Sequence, residues 1–468
     1  MILRPARARL RSERSGSVPI MTAALIVPML LTVGGAVDLG LYEHGRIALQ
    51  DALDRGVLAA AAMKQTEDAT AVVKSYLKTI PNGEKVTLDV QETRTLNSRK
   101  VTATASLPYS TVFLGLIGSS NLDLKAKSTA EDQRRSFEIS MVLDISGSMQ
   151  DNGGIGQLRP AAKDFLDTVL TKDTKDTTSI SIVPFAGQVN VGKSLFEHVV
   201  SQEYTRRPLP YPKRHDYSYC FDLLPQDFAA GLPSFVDREQ TPHFSYYNIN
   251  ASAKKPWWCA DGAPITYMTN DIAKLKAGVD ALYPYDGTGT AYGMKWAELL
   301  LNPSMRPILS AVANKADVSI PASFRARPVA FDDKDTLKFI VLMTDGQIGF
   351  QPRPTDKAYS EILPKFPNKR ESYVVTGDNI SGWGMYVTSP APAYSEGQAK
   401  SHYEQVCSYA KSEGITIFTI AFKVSDDTAA TIARCASKPA YAYKVDGLDM
   451  GQAFKSIAAT MQKIRITE

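Results

Sequence analysis

From Ser15 to Val37 the chain runs for 23 residues without a charge, and nothing else in the sequence limits its fold as strongly. A helix of that length rises roughly 35 Å, enough for the ~30 Å hydrocarbon core of a bilayer. Arg4, Arg7, Arg9, Arg11 and Arg14 precede it against one acid, Glu13. Arginines hold that end in the cytoplasm, so the rest of the chain is expected outside. A cleaved secretory signal and a buried core helix are the alternatives. The run exceeds a usual signal h-region and no clear A-x-A site follows, which favours a retained anchor. The expectation is a basic cytoplasmic segment at 1–16 and a transmembrane helix at 17–41. Pro19, Pro28 and Gly34-Gly35 are tolerated in membrane helices.

The 468 residues exceed one ordinary core, so two or three domains are expected. With 44% hydrophobic and 22% charged residues the composition is globular rather than disordered. A net charge of +4 gives no argument for nucleic acid, which would call for a basic face or stripe. The four cysteines, Cys220, Cys259, Cys407 and Cys435, fit an oxidising compartment. They permit three pairings; neighbours within a region give Cys220–Cys259 and Cys407–Cys435, with four buried thiols as the alternative. No C-x-x-C is present, which argues against a zinc ribbon or thioredoxin motif.

After the apolar run, Tyr42 to about Met63 reads as continuing helix, with Leu49, Leu53 and Val57 near helical spacing. Segments 85–92 and 99–107 alternate and are rich in Val and Thr, as strands do. Residues 42–130 therefore read as a helix followed by a small α+β spacer. From Ser136 the pattern becomes strand–helix alternation. Phe137–Leu143, Ser179–Phe185, Leu337–Met343 and Ile415–Phe422 are strands, and helices are expected near 157–171, 272–282, 291–301, 402–412, 429–435 and 450–464. Near-continuous apolar strands separated by helices predict a doubly wound, mostly parallel α/β sheet over 135–468. Two stretches rich in Pro and Tyr, at about 196–268 and 350–398, read as long insertions in its loops.

Open α/β sheets bind ligands beyond the carboxyl ends of their strands. Asp144-Ile145-Ser146-Gly147-Ser148 follows one apolar strand, and Thr344-Asp345-Gly346 follows another. Asp286-Gly287-Thr288-Gly289-Thr290 precedes the helix at Ala291. Hydroxyls and carboxylates are hard ligands, suited to Mg²⁺, Mn²⁺ or Ca²⁺. D-x-S-x-S, then G-T, then T-D-G, in that order at strand ends, resembles the metal-ion-dependent adhesion site of von Willebrand factor A domains. That resemblance implies hydroxyl ligands from Ser146, Ser148 and Thr288 and carboxylates from Asp144 and Asp345. It also implies Mg²⁺ as the first candidate cation and a protein partner that offers a carboxylate. Simple helix capping by these residues is the bland alternative.

A second resemblance lies near the N-terminus. Ala36-Val37-Asp38-Leu39-Gly40, Arg46, Leu49-Gln50-Asp51-Ala52 and Asp54, then an alanine run, are similar to TadG-like proteins of Tad (Flp-type) pilus assembly. So are Val183-Pro184-Phe185, Val189-Asn190-Val191-Gly192 and Cys435-Ala436-Ser437. The resemblance implies a single-pass inner-membrane protein with its C-terminal domain in the periplasm. Its partners would be pilus or secretion-machinery components. Related pseudopilins carry a glutamate five residues after a cleavage glycine; here Met21 stands at that distance from Gly16.

Two rival functions stay open. One is a surface adhesin that contacts a host or abiotic surface. The other is an NTPase, because Gly187 to Ser194 matches the P-loop pattern G-x-x-x-x-G-K-[ST]. Val189 and Val191 are β-branched and a poor fit for a loop that wraps phosphate. The five histidines form no H-E-x-x-H, and no G-x-S-x-G occurs, so a non-enzymatic role is expected. Trp257-Trp258 could pack the first insertion or stack on a ligand.

Overall fold

The computed structural model describes residues 17–95, 98–118, 121–151, 153–200, 219–235, 238–241, 259, 262–285, 287–349, 351–352, 392–447 and 450–467. The basic segment 1–16, Asp286, Trp257, Trp258 and most of the two expected insertions lie outside the described residues. The chain divides into two compact units, Met1–Arg134 and Arg135–Glu468.

The first unit is built on one 45-residue helix, α1 (Ser17–Ala61), with Pro28 inside it. The helix changes surroundings along its length. Met21, Leu25, Ile26, Met29, Leu30, Val33 and Val37 are exposed, whereas Leu49, Leu53 and Val57 are buried. The second set recurs every fourth residue and forms one stripe. That stripe packs on α2 (Ala69–Leu77) and on an antiparallel sheet of β1 (Thr87–Arg94), β2 (Ser98–Ser110) and β3 (Asn121–Gln133). Val101, Ala103, Ala105 and Leu107 of β2 point into this core, the period of two that a half-buried strand requires. The third strand is not legible in the sequence. Its inward residues include Ala126 and Ala130, too small to announce a strand.

Among the described residues, α1 is the one helix long and apolar enough to cross a membrane, over its part Ala24–Ala61.

The second unit is a six-stranded sheet. Its strands are β4 (Ser136–Asp144), β5 (Thr178–Phe185), β8 (Thr266–Thr269), β9 (Thr336–Thr344), β12 (Thr416–Phe422) and β13 (Ala442–Val445). They lie in the order β13-β12-β9-β4-β5-β8. All neighbours run parallel except the edge strand β8, which is antiparallel to β5. Two strand pairs outside it, β6 (Phe221–Asp222) with β7 (Glu239–Gln240) and β10 (Gln351–Pro352) with β11 (Pro392–Tyr394), belong to the insertions.

Helices cover both faces, and strand alternation decides which. Phe137, Ile139, Met141 and Leu143 of β4 and Phe339, Val341 and Met343 of β9 share one core. There they meet Met149 of the short α3 (Ser148–Asp151), Phe165 of α4 (Gly154–Val169), Leu275 of α6 (Ile272–Asp280) and Phe454 of α11 (Met450–Thr467). Val142, Ile340 and Leu342 face the other way, onto α7 (Thr290–Leu299), α8 (Arg306–Val312), α9 (Glu396–Ser412) and Ile432 of α10 (Asp426–Ala433). Every residue of α7 is buried. At Gly293 an added Cβ would fall 2.7 Å from the Phe185 ring. The helix therefore lies against the sheet where only glycine fits.

The insertions are shorter than their sequence bounds of 196–268 and 350–398. Lys193–Val200 is a helix, α5, and Thr266–Thr269 is a sheet strand. Glu396 opens α9 behind a capping box from Ser395 and Gln398. Short elements with polar residues carry too little periodicity to be separated from a loop. The structure joins Cys220 to Cys259 and Cys407 to Cys435.

Candidate metal site

β4 is the first strand of the sheet, β5 lies on one side of it and β9 on the other. The chain therefore reverses its direction of travel between β4 and β9, and their carboxyl ends flank a switch-point crevice. Asp144 is the last residue of β4, and Asp345 directly follows β9. A second contact closes the crevice. The amide of Ile145 donates to Phe185 O, the amide of Tyr285 donates to Ile145 O, and Ser146 pairs with Tyr285 in a parallel bridge. This stitches the loop before α7 to the Asp144–Ser148 turn.

Three of the five expected ligands join directly. Ser146 Oγ lies 2.9 Å from Ser148 Oγ, and the Ser148 hydroxyl donates to Asp345 Oδ1 at 2.6 Å. Asp144 is held from two sides. Its Oδ1 accepts the Ser146 amide at 2.7 Å, and its Oδ2 accepts the Thr344 hydroxyl at 2.5 Å. Thr288 packs against the Thr344-Asp345-Gly346 turn, since a Cβ on Gly346 would lie 2.5 Å from Thr288 Cγ2 and 3.3 Å from its Oγ1. All five residues thus surround one crevice.

Sequence reasoning assigns Thr344 no role, although it belongs to the T-D-G signal. Its hydroxyl donates to Asp144 and accepts the Gly346 amide at 3.1 Å, which fixes the carboxylate and the turn together. Asp286 of the G-T signal lies outside the described residues.

Asp144 is fully buried, and burial first, then the charge of Asp345, push its carboxyl up to about 7. Hydrogen bonds from Ser146 and Thr344 act in the opposite direction. Two carboxylates share a low-dielectric crevice with hydroxyls as neighbours, and a divalent cation is the group that reverses this penalty. Among the described residues no cluster of three or more His, Cys, Asp or Glu is placed to hold a metal. Two carboxylates plus hydroxyls are a donor set that suits a hard cation, and Ser146, Ser148, Thr288, Asp144 and Asp345 are the residues that could hold one. The buried Thr290 hydroxyl, at the start of α7, has no hydrogen-bond partner.

Close backbone approach builds this crevice. The Gly289 amide donates to Ala186 O at 2.5 Å, and a Cβ on Gly289 would lie 2.3 Å from Gly187 O. Gly289→Ala is expected to cost about 1–3 kcal/mol, the range for forced overpacking, and to weaken cation binding by displacing Thr288. Thermal denaturation and cation titration of the variant check both; an unchanged melting temperature would refute the contact.

The P-loop-like segment provides no phosphate cradle. Val189 and Val191 are buried in the core, and Lys193 is exposed beside Glu197 at 3.7 Å. Three of its amides are taken: Val191 donates to Tyr219 O, Gly192 to Asn190 Oδ1 and Ser194 to Asp317 Oδ2. A carboxylate at the start of α5 opposes an anion there.

Residues 16–63 match the Tad family model, Flp pilus-assembly TadE/G-like. The N-terminal segment is TadE/G-like. Among solved structures, the chain is similar to the von Willebrand factor domain of the type V pili tip protein Mfa5 from Porphyromonas gingivalis. That likeness has 14% identity over 72% of this chain and 98% of that one, with a TM-score of 0.35. It is also similar to the pilus adhesin SpaC from Lactobacillus rhamnosus GG, with 12% identity, a TM-score of 0.35 and coverage of 81% of this chain but 35% of that one. A von Willebrand factor type A protein from Catenulispora acidiphila shares 9% identity over 80% of this chain and 49% of that one, with a TM-score of 0.30. No curated protein matches the chain by sequence.

Proposed function

We propose that this is a membrane-anchored, von Willebrand A-like binding protein of a Tad/Flp-type pilus system. It binds a protein partner through a divalent cation held by Asp144, Ser146, Ser148, Thr288 and Asp345. The observation that carries this reading is the convergence of those five side chains at the switch point, in a chain whose N-terminal segment is TadE/G-like. Apolar α1 supports a single-pass anchor in a bacterial inner membrane, with the second unit in the periplasm. Disulfides at Cys220–Cys259 and Cys407–Cys435 support an oxidising compartment.

The bound cation supplies a Lewis-acidic position open to an external oxygen. The chain supplies the rest. The hydroxyls of Ser146, Ser148 and Thr288 are neutral ligands, so the two carboxylates balance a divalent cation without making the site negative, and it can still accept one further oxygen. An Asp or Glu of a pilus or secretion-machinery component fits that position. The amide of Ser146 and the hydroxyl of Thr344 keep Asp144 oriented while the partner docks.

Calorimetric titration with Mg²⁺ and Mn²⁺ tests the site. The wild-type chain is expected to bind one equivalent, and Asp144→Ala with Ser146→Ala is expected to bind none while keeping its circular dichroism spectrum. Equal binding by the two proteins would remove the adhesion-site reading. Protease accessibility in intact cells against spheroplasts separates a periplasmic role from a surface adhesin.

A further inference from the structure

α1 and the β2–β3 loop meet at a place where the sequence is short of charge on both sides. Val101 to Leu122 carries no charged residue, and its centre reads Val112-Phe113-Leu114-Gly115-Leu116-Ile117. Phe113 lies directly on the backbone of Gly34, where an added Cβ would fall 2.3 Å from the ring. Leu114 reaches Gly35, at 3.3 Å from the same construction. Gly34 precedes Asp38 by one turn, roughly 6 Å along the helix. Phe113 therefore lies on the apolar side of Asp38, level with the uncharged run that ends at Val37.

Asp38 resolves the polar problem this creates. It is buried, and its Oδ1 accepts the Val112 amide at 3.2 Å while Oδ2 accepts those of Phe113 and Leu114 at 2.7 and 2.8 Å. An irregular turn in hydrocarbon is tolerated only where its amides are satisfied by protein. One turn further on, Tyr42 stacks edge-on with Tyr109 at 6.0 Å, and its hydroxyl donates to Asp123 O. Such an aromatic pair suits a membrane–water interface. Apart from the amide-bound Asp38, charges begin beyond it, with Glu43, Arg46, Asp123 and Lys125. The layers follow depth: apolar contact, satisfied amides, tyrosines, then charge. Val112 is 69% exposed on the outside of this arrangement, an apolar side chain that the described residues of the first unit leave uncovered.

We propose that the loop Thr111–Gly118 is a second membrane contact, inserted into the bilayer leaflet beside α1 on the side where the chain continues. The occupant of the exposed face of Val112 is lipid acyl chain. The proposal rests on reading α1 as the anchor. Its consequence is that the first unit is held at a fixed depth and tilt on the membrane rather than tethered by one helix.

The described cysteines are all in disulfides, so an added cysteine gives a single labelling position. Val112→Cys, Val33→Cys and Lys100→Cys, each labelled with an environment-sensitive NBD dye, are reconstituted as full-length protein in phosphatidylcholine vesicles with chain-brominated lipid. The labels at 33 and 112 are expected to shift to the blue and lose emission to bromine, and the label at 100 to do neither. A quenched label at 33 with an unquenched one at 112 overturns the loop proposal and leaves the anchor standing. Unquenched labels at both positions overturn the anchor reading, and the loop proposal with it. Protection of 112 that appears only when a second protein is added also overturns lipid as the occupant.

Discussion

Asp345→Asn is expected to abolish divalent-cation binding and, in chelating buffer at pH 8, to raise the stability of the protein rather than lower it. The substituted amide keeps an oxygen for the Ser148 hydroxyl, so the hydrogen bond across the crevice survives. What is lost is a negative charge beside buried Asp144, whose carboxyl stands at about 7 instead of 3.8. A carboxyl raised in the fold destabilises as pH rises: the penalty is absent below about 4, grows through about 7, and is constant above. Its full size is on the order of 4 kcal/mol. The share supplied by the Asp345 charge is about 1–2 kcal/mol, because burial is the larger cause. In wild type, Mg²⁺ at 100 times its Kd should add about 2.7 kcal/mol by mass action, and in Asp345→Asn nothing. Denaturation curves with EDTA and with Mg²⁺ read both effects. Retention of the Mg²⁺ response in the variant would refute Asp345 as a ligand.

The second large effect has the opposite profile. Glu138→Ala is expected to cost about 3–5 kcal/mol, the loss for breaking a buried ion pair, and to leave cation affinity unchanged. Glu138 is 1% exposed; its Oε2 accepts from Lys338 Nζ at 2.5 Å and its Oε1 accepts the Val329 amide. Arg327 is 3.8 Å away and donates to Phe137 O, Ser179 Oγ and Thr177 O, clamping the starts of β4 and β5. Burial already holds Lys338 and Arg327 below their ordinary values, and Glu138 opposes that shift. Removing it leaves two desolvated cations. Glu138 lies near the start of β4 and Asp144 at its end. At the rise of an extended strand that places Glu138 about 20 Å from the crevice. Urea denaturation with parallel Mg²⁺ titration separates stability from binding. A changed cation affinity would mean that this cluster and the site are coupled along the strand.

Glu138 also shows where sequence reading runs short. Within Phe137–Leu143 it is a charge in an apolar run, and nothing local identifies Lys338 and Arg327, far along the chain, as its partners. Thr344 escapes notice for the same reason: its role is a hydrogen bond to a carboxylate across the sheet. The strands β3, β8 and β13 are hidden by a different cause. Each is short, or presents small or polar side chains, so the alternation that marks a strand is faint. The apolar strands β4, β5, β9 and β12 are legible because burial on both faces demands unbroken hydrophobicity.

By itself the sequence determined three things. The uncharged run 15–37 required an apolar surrounding, the strand–helix alternation required a mostly parallel sheet, and oxygen-rich turns fell at the ends of its strands. These follow from local rules, since hydrophobic length and period act within a few residues. Only the tertiary structure decided that Asp144 and Asp345 flank one switch point, that Thr288 is brought there by the Tyr285 bridge, and that Asp38 caps a loop distant in the chain. Such contacts depend on strand order and on close backbone approach at Gly34, Gly289 and Gly346, which sequence spacing does not encode.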